Sequence, residues 1–146
     1  MLKAELHVHS SVSDGADSVR KILKTAVEIG IDVISITDHD TVNGSLEAIE
    51  LVEEEKLPIH VISGVEISTS EGHVFWLYDI SRDVDAGMCI EETCEIVRSM
   101  GGICFLSHPF DLFRNGCLRL RCFKVVDGVE VFNAKSFLIQ LQVFFC

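Results

Sequence analysis

The sequence predicts an α/β domain built on a mostly parallel β-sheet, either open or closed into a barrel, and three observations carry that expectation. Short β-branched and aliphatic runs alternate with longer segments whose apolar residues recur at helical spacing. The connections are short, with no linker, internal repeat or low-complexity stretch. The chain has 146 residues, 48% of them hydrophobic, which suffices for one domain with a real core and rules out disorder.

Each element has a local cause. Lys3 to His9 reads as a strand, apolar at Leu6 and Val8, and the loop from Ser10 to Gly15 carries turn chemistry. Ser18 is placed to cap a helix running to about Ile29, with Val19, Ile22, Leu23, Ala26 and Val27 on one face. Gly30 follows as its C′ residue. The β-branched run from Asp32 to Thr37 fits a buried strand. Asn43 or Ser45 opens a second helix with an imperfect stripe of Leu46, Ile49, Leu51 and Val52, ending before Pro58. Ile59 to Ile67 and His73 to Tyr78 read as strands, and Ile90 to Met100 as a helix stopped by Gly101-Gly102. Ile103 to Leu106 is a strand ending at Ser107-His108-Pro109, and Val125 to Phe132 is one more.

The charge balance narrows the function classes. A net charge of −11 and a pI near 4.8 argue against a stable complex with nucleic acid or an anionic membrane, since both need a basic face. A phosphorylated substrate stays open, because divalent cations can invert the local charge. No signal-peptide pattern and no apolar run long enough to span a bilayer is present, so the expected location is the cytoplasm. The six cysteines show no C-x-x-C spacing and read as reduced, mostly buried thiols.

The chemistry lies at the strand ends. His7 and His9 share a face of the first strand, since alternation puts residues two apart on the same side. The second strand ends in Thr37-Asp38-His39-Asp40, the third in Gly64-Val65-Glu66, and another at His108, while His73 opens its strand. C-terminal strand ends of a parallel sheet gather at one rim. That rim would hold His7, His9, His39, His108, Glu66 and, from the loop, Asp14. Imidazole plus carboxylate without thiolate suits zinc, manganese or iron. The set exceeds what one tetrahedral ion takes. Two ions ~3.5–4 Å apart, bridged by a carboxylate such as Glu66, would use it for hydrolysis of a phosphate ester.

His7-Val8-His9-Ser10, Ser13-Asp14-Gly15, Thr37-Asp38-His39-Asp40, Gly64-Val65-Glu66-Ile67 and His108-Pro109 together resemble the PHP (polymerase and histidinol phosphatase) superfamily, over residues 2 to about 134. The resemblance implies a single domain, a distorted seven-stranded, TIM-like β/α barrel, and two or three divalent metal ions (zinc, manganese or iron). By position it implies His7 and His9 on the first ion, Glu66 bridging to the second, His73 and His108 completing the second, and Asp14 with His39 on a third. It implies a phosphoesterase acting on a small phosphomonoester, a nucleotide or a short oligonucleotide.

Three further residues are placed beside that chemistry. Asp38 and Asp40 are read as partners orienting His39 or nearby waters. Arg114 is read either as a bidentate partner for a substrate phosphate or as a solvated loop charge. His60 and the acidic run Glu53-Glu54-Glu55 are assigned to structure and to a wet helix face. The family's late Asp-x-His is absent after His108, and residues 135–146 form an atypical apolar tail. The barrel is therefore expected to be incomplete at the C-terminus, with self-association through the tail. The alternative reading is a catalytically impaired, metal-binding remnant or regulatory module.

Overall fold

Turn chemistry and strand length divide the chain into two small sheets that meet at one rim. The computed structural model describes residues 1–78, 80 and 82–135. The first sheet is parallel, in the order β1 (Ala4–Val8), β2 (Val33–Ile36), β3 (His60–Val61). Its crossovers are α1 (Val19–Glu28) and α2 (Asn43–Glu55). The second sheet runs β4 (Gly64–Thr69), β5 (Gly72–Leu77), β6 (Ile103–Leu106), β7 (Gly128–Val129), with α3 (Ile90–Ser99) packed behind it.

The helix signals behave as the sequence predicts. The Ser18 hydroxyl accepts from the N–H of Lys21, capping α1, and Gly30 follows the helix with φ +76°. Val19, Leu23 and Ala26 are buried against Ile34, Ile36, Ala48 and Leu51, giving the first sheet its own core. The second core lies between α3 and the second sheet: Ile90, Cys94 and Val97 meet Val65, Ile67, Val74, Trp76, Cys104 and Leu106. Alternation then leaves Glu66, His73 and Phe75 for the opposite face.

One expectation is corrected here. The sheet is not mostly parallel throughout: β4 pairs antiparallel with β5, and β5 with β6. The connection from Thr69 to Gly72 is far too short for a parallel crossover, so the chain must reverse as a hairpin. Gly72, at φ +131°, supplies the turn conformation. The barrel is not closed among the described residues: β1 and β7 are edge strands of separate sheets.

The sheets touch through one parallel bridge, His39 to Glu66, where Asp40 N–H donates to the Glu66 carbonyl and Glu66 N–H to the Asp38 carbonyl. The run from Ile59 to Ile67 breaks at Ile62-Ser63 because its first half pairs with β2 and its second half with β5. The strand expected from Val125 to Phe132 is reduced to Gly128–Val129, preceded by a 3-10 turn over Leu120–Lys124.

The five cysteines among the described residues are free thiols, and Cys94, Cys104, Cys117 and Cys122 are buried. No helix among the described residues is long and apolar enough to cross a membrane. The apolar run 137–146, with the self-association expected of it, lies outside the described residues.

Trp76 anchors the second core. It is fully buried, and its indole N–H donates to the Tyr78 carbonyl at 3.0 Å. Gly102 lies directly against that indole, so a methyl group there would overlap the ring. Gly102→Ala is expected to lower stability by about 1–3 kcal/mol, the usual range for overpacking, read from urea denaturation. An unchanged midpoint would mean that Trp76 does not anchor the core.

Candidate metal centre

Five histidines and an acid converge at the rim, brought there by five segments of the chain. β1 delivers His7 and the residue just beyond it, His9. The segment after β2 brings His39, β4 carries Glu66, β5 begins with Gly72-His73, and His108 lies two residues past β6. The antiparallel turn does not disturb the convergence. It brings β5 to the rim by its N-terminal end, which is why His73 sits at a strand start.

Glu66 is at the centre, with no exposed surface. Its Oε1 lies 3.3 Å from His7 Nε2, 3.2 Å from His108 Nε2 and 3.7 Å from His73 Nδ1. Its Oε2 lies 3.0 Å from His9 Nε2 and 3.4 Å from His39 Nε2. His7 Nε2 and His9 Nε2 are 3.2 Å apart. Asp14, 62% exposed, closes the outer side: its Oδ1 accepts from His9 Nδ1 at 2.6 Å and its Oδ2 is 3.9 Å from His39 Nε2. All seven residues of the expected ligand set are thus gathered in one place.

Electrostatics follow from this crowding. Burial acts to lower the His7 pKa, but hydrogen bonds to Glu130 and Glu66 outweigh it and push the imidazole up to about 9. His9 is raised in the same way, against its burial, by Glu66 and Asp14. Burial would raise Glu66, yet His108, His7 and His9 hold it far below the usual carboxylate range. His73 moves the other way: burial, together with the positive field of His39 and His108, lowers it.

Donor atoms show whether this set fits metal ions. Ligands on one tetrahedral ion at ~2.0–2.1 Å stand ~3.4 Å apart, close to the spacing of the two Nε2 atoms. Three groups each bring ligand atoms within 4.8 Å of one another: His7, His9 and Glu66; His9, Asp14 and His39; His39, Glu66 and His73. The buried His39 Nδ1, His73 Nδ1 and His108 Nδ1 make no hydrogen bond, and Glu66 Oε2 has only the imidazoles of His9 and His39 beside it. Buried polar atoms without partners are uncommon in folded proteins. Glu66 Oε2 and His73 Nδ1 both face the ring, so a divalent cation fits the donor set.

The expected supporting residues make defined contacts around the ring. Asp38 is fully buried and does not bond to His39. It accepts from Ser10 N–H at 2.8 Å, the Ser10 hydroxyl at 2.7 Å and the Ser13 hydroxyl at 2.6 Å, fixing the loop that carries Asp14. Asp40, at φ +54°, accepts from Ser68 N–H at 2.7 Å. Arg114 donates to Asn133 Oδ1 at 2.9 Å and borders a cavity of about 450 Å³ whose wall includes His7, His9 and Asp14. Sequence reasoning missed Glu130, whose Oε1 lies 3.0 Å from His7 Nδ1. The available signal was an acid directly after a short apolar strand run.

Comparison with known proteins agrees with the geometry. The PHP domain family matches residues 5–97. An uncharacterized protein of Methanocaldococcus jannaschii is 37% identical over 147 residues, covering 91% of this chain and 82% of its own. A phosphoribosyl 1,2-cyclic phosphate 1,2-diphosphodiesterase of Eggerthella lenta is 41% identical over 101 residues, 67% of this chain but 35% of that enzyme. Among solved structures, a two-domain protein of Bacteroides vulgatus containing a PHP-like metal-dependent phosphoesterase superposes with a TM-score of 0.75 at 22% identity. That match covers 89% of this chain and 44% of the other. The chain therefore spans well under half of these last two proteins.

The raised His7 pKa makes a test with a defined sign. A histidine raised above its ordinary value of 6.5 contributes stability that is complete below 6.5 and is lost as pH climbs through about 9. The thermal midpoint of the metal-free protein, followed by circular dichroism in chelator, is expected to fall between pH 6.5 and 9.5. A flat or rising profile would contradict the His7–Glu66–Glu130 pairing.

Proposed function

We propose, from the premise that this chain belongs to the PHP domain family, that it is a metal-dependent hydrolase of phosphate esters with a small phosphorylated substrate. The observation that carries this reading is the ring around Glu66. Five imidazoles and two carboxylates put their ligand atoms together at a rim beside an open cavity, with buried donor atoms left unbonded.

His7, His9 and Glu66 would hold one ion, and Glu66 with His73 and His108 a second. Asp14 and His39 would serve a third. Divalent cations supply Lewis acidity toward a phosphoryl oxygen and a water made acidic enough to attack phosphorus. This chain's own residues do the rest. Glu66 stays ionised at working pH and keeps the imidazoles turned inward. Asp38 clamps the Ser10–Ser13 loop so that Asp14 faces His9 and His39. The apolar wall of Phe75, whose ring centre is 4.9 Å from that of His7, keeps bulk water from the back of the site.

The cavity beside His7 and His9 supports a small substrate. Its volume of about 450 Å³ lies within the ~300–1,000 Å³ of ordinary small-molecule sites. Arg114 and Lys135 supply positive charge at its edge, suited to a phosphate group. The Eggerthella relative cleaves a cyclic phosphodiester by its name. A diester or monoester of a nucleotide-sized molecule is accordingly the class we assign.

Elemental analysis of the purified protein is expected to find two or more zinc, manganese or iron ions per chain. Hydrolysis of p-nitrophenyl phosphate or its bis ester should depend on added metal. His9→Ala and Glu66→Gln should each reduce metal affinity and turnover by more than about 100-fold, beyond what supporting groups typically give. Stoichiometric metal with no turnover on any phosphate ester would reduce the protein to a metal-binding module. Absence of metal would end the proposal.

A further inference from the structure

Glu130 stands behind the ring, just past β7, and both of its carboxylate oxygens bond toward the site. Its Oε1 accepts from His7 Nδ1–H at 3.0 Å and from Asn133 Nδ2–H at 3.0 Å. Its Oε2 accepts the main-chain N–H of His108 at 2.7 Å. Asn133 in turn accepts from Arg114 Nη1 at 2.9 Å, so a chain of four side chains runs from the cavity edge to His7.

Two consequences follow from the chemistry of these groups. An ionised carboxylate can only accept, so the bond to Nδ1 fixes a proton on that nitrogen and leaves Nε2 as the ring nitrogen able to bind a cation. Nε2 is the atom that faces His9 Nε2 and Glu66. The second consequence concerns His108, which is 1% exposed and adopts φ +27°, a left-handed conformation that a non-glycine residue holds only under constraint. Its N–H is bound by Glu130 at this position.

Resting on the metal-dependent reading above, we propose that Glu130 is a positioning residue. It sets His7 as an Nε2 ligand and holds the backbone of His108, so one carboxylate orients ligands that arrive from both sheets. Asn133 keeps that carboxylate in place, and Arg114 fixes Asn133.

The test uses zinc-loaded protein and histidine ¹⁵N NMR, which reads the ligating atom without reference to activity. In the wild type, His7 is expected to bind zinc through Nε2, with a protonated Nδ1 whose hydrogen is strongly deshielded. Glu130→Gln is expected to fold as judged by circular dichroism, to bind zinc about 10- to 100-fold more weakly in chelator competition, and to lose that deshielding. A folded Glu130→Gln protein with unchanged zinc affinity and an unshifted Nδ1–H would overturn the inference while leaving the metal-dependent reading intact. Ligation of His7 through Nδ1 in the wild type would overturn it equally, and needs no variant should Glu130→Gln not fold. A wild-type protein that binds no zinc, manganese or iron would overturn both.

Discussion

An ionised carboxylate with no exposed surface is among the costliest groups a small domain can hold, unless cations or hydrogen-bond donors surround it. Glu66 is such a group, and the rest of the rim answers to it. Four imidazole nitrogens stand within 3.4 Å of its two oxygens, and they come from three different segments of the chain. In the metal-free protein this charge raises the affinity of His7 and His9 for protons. Metal ions would replace those protons, which ties metal affinity to pH. The site is therefore one electrostatic unit, and its members cannot be altered independently.

The two hydrophobic cores serve that unit by fixing directions. β4 buries Val65 and Ile67 against α3, and the pleat then sends Glu66 to the other face. β5 does the same with Val74 and Trp76, leaving His73 and Phe75 beside the site. The first sheet packs on α1 and α2 through Ile34 and Ile36, which sets where the chain turns into His39. Packing decides orientation here, and the polar groups exploit it.

Much of this was legible in the sequence, for definable reasons. His7 and His9 could be read together because alternation in a strand is strict. Glu66 could be read because an acid following a buried aliphatic run needs partners. The helices announced themselves through Ser18, Gly30 and Gly101-Gly102. The reversal at Ser70-Glu71-Gly72 was missed, although a two-residue connection cannot make a crossover. Asp38 was set beside His39 because they are neighbours in sequence. Successive residues of an extended segment point to opposite faces, so Asp38 turned instead to Ser10 and Ser13. Glu130 escaped because its partner His7 lies 123 residues away, and no local periodicity encodes that distance. The barrel was read from family shape and expected to be incomplete at the C-terminus, and the hydrogen bonding of two separate sheets shows no closed barrel among the described residues.

The bridge between His39 and Glu66, the one that joins the sheets among the described residues, has a mechanical meaning. Two sheets with separate cores share one pair of backbone hydrogen bonds at the rim, and the ligand set straddles that seam: His7, His9 and His39 on one side, Glu66, His73 and His108 on the other. Ions bound there would act as rivets across that joint. Because they would bind the assembled form alone, the free energy holding the halves together would grow with the logarithm of the free ion concentration. The lifetime of such a domain would then track the metal supply of its surroundings.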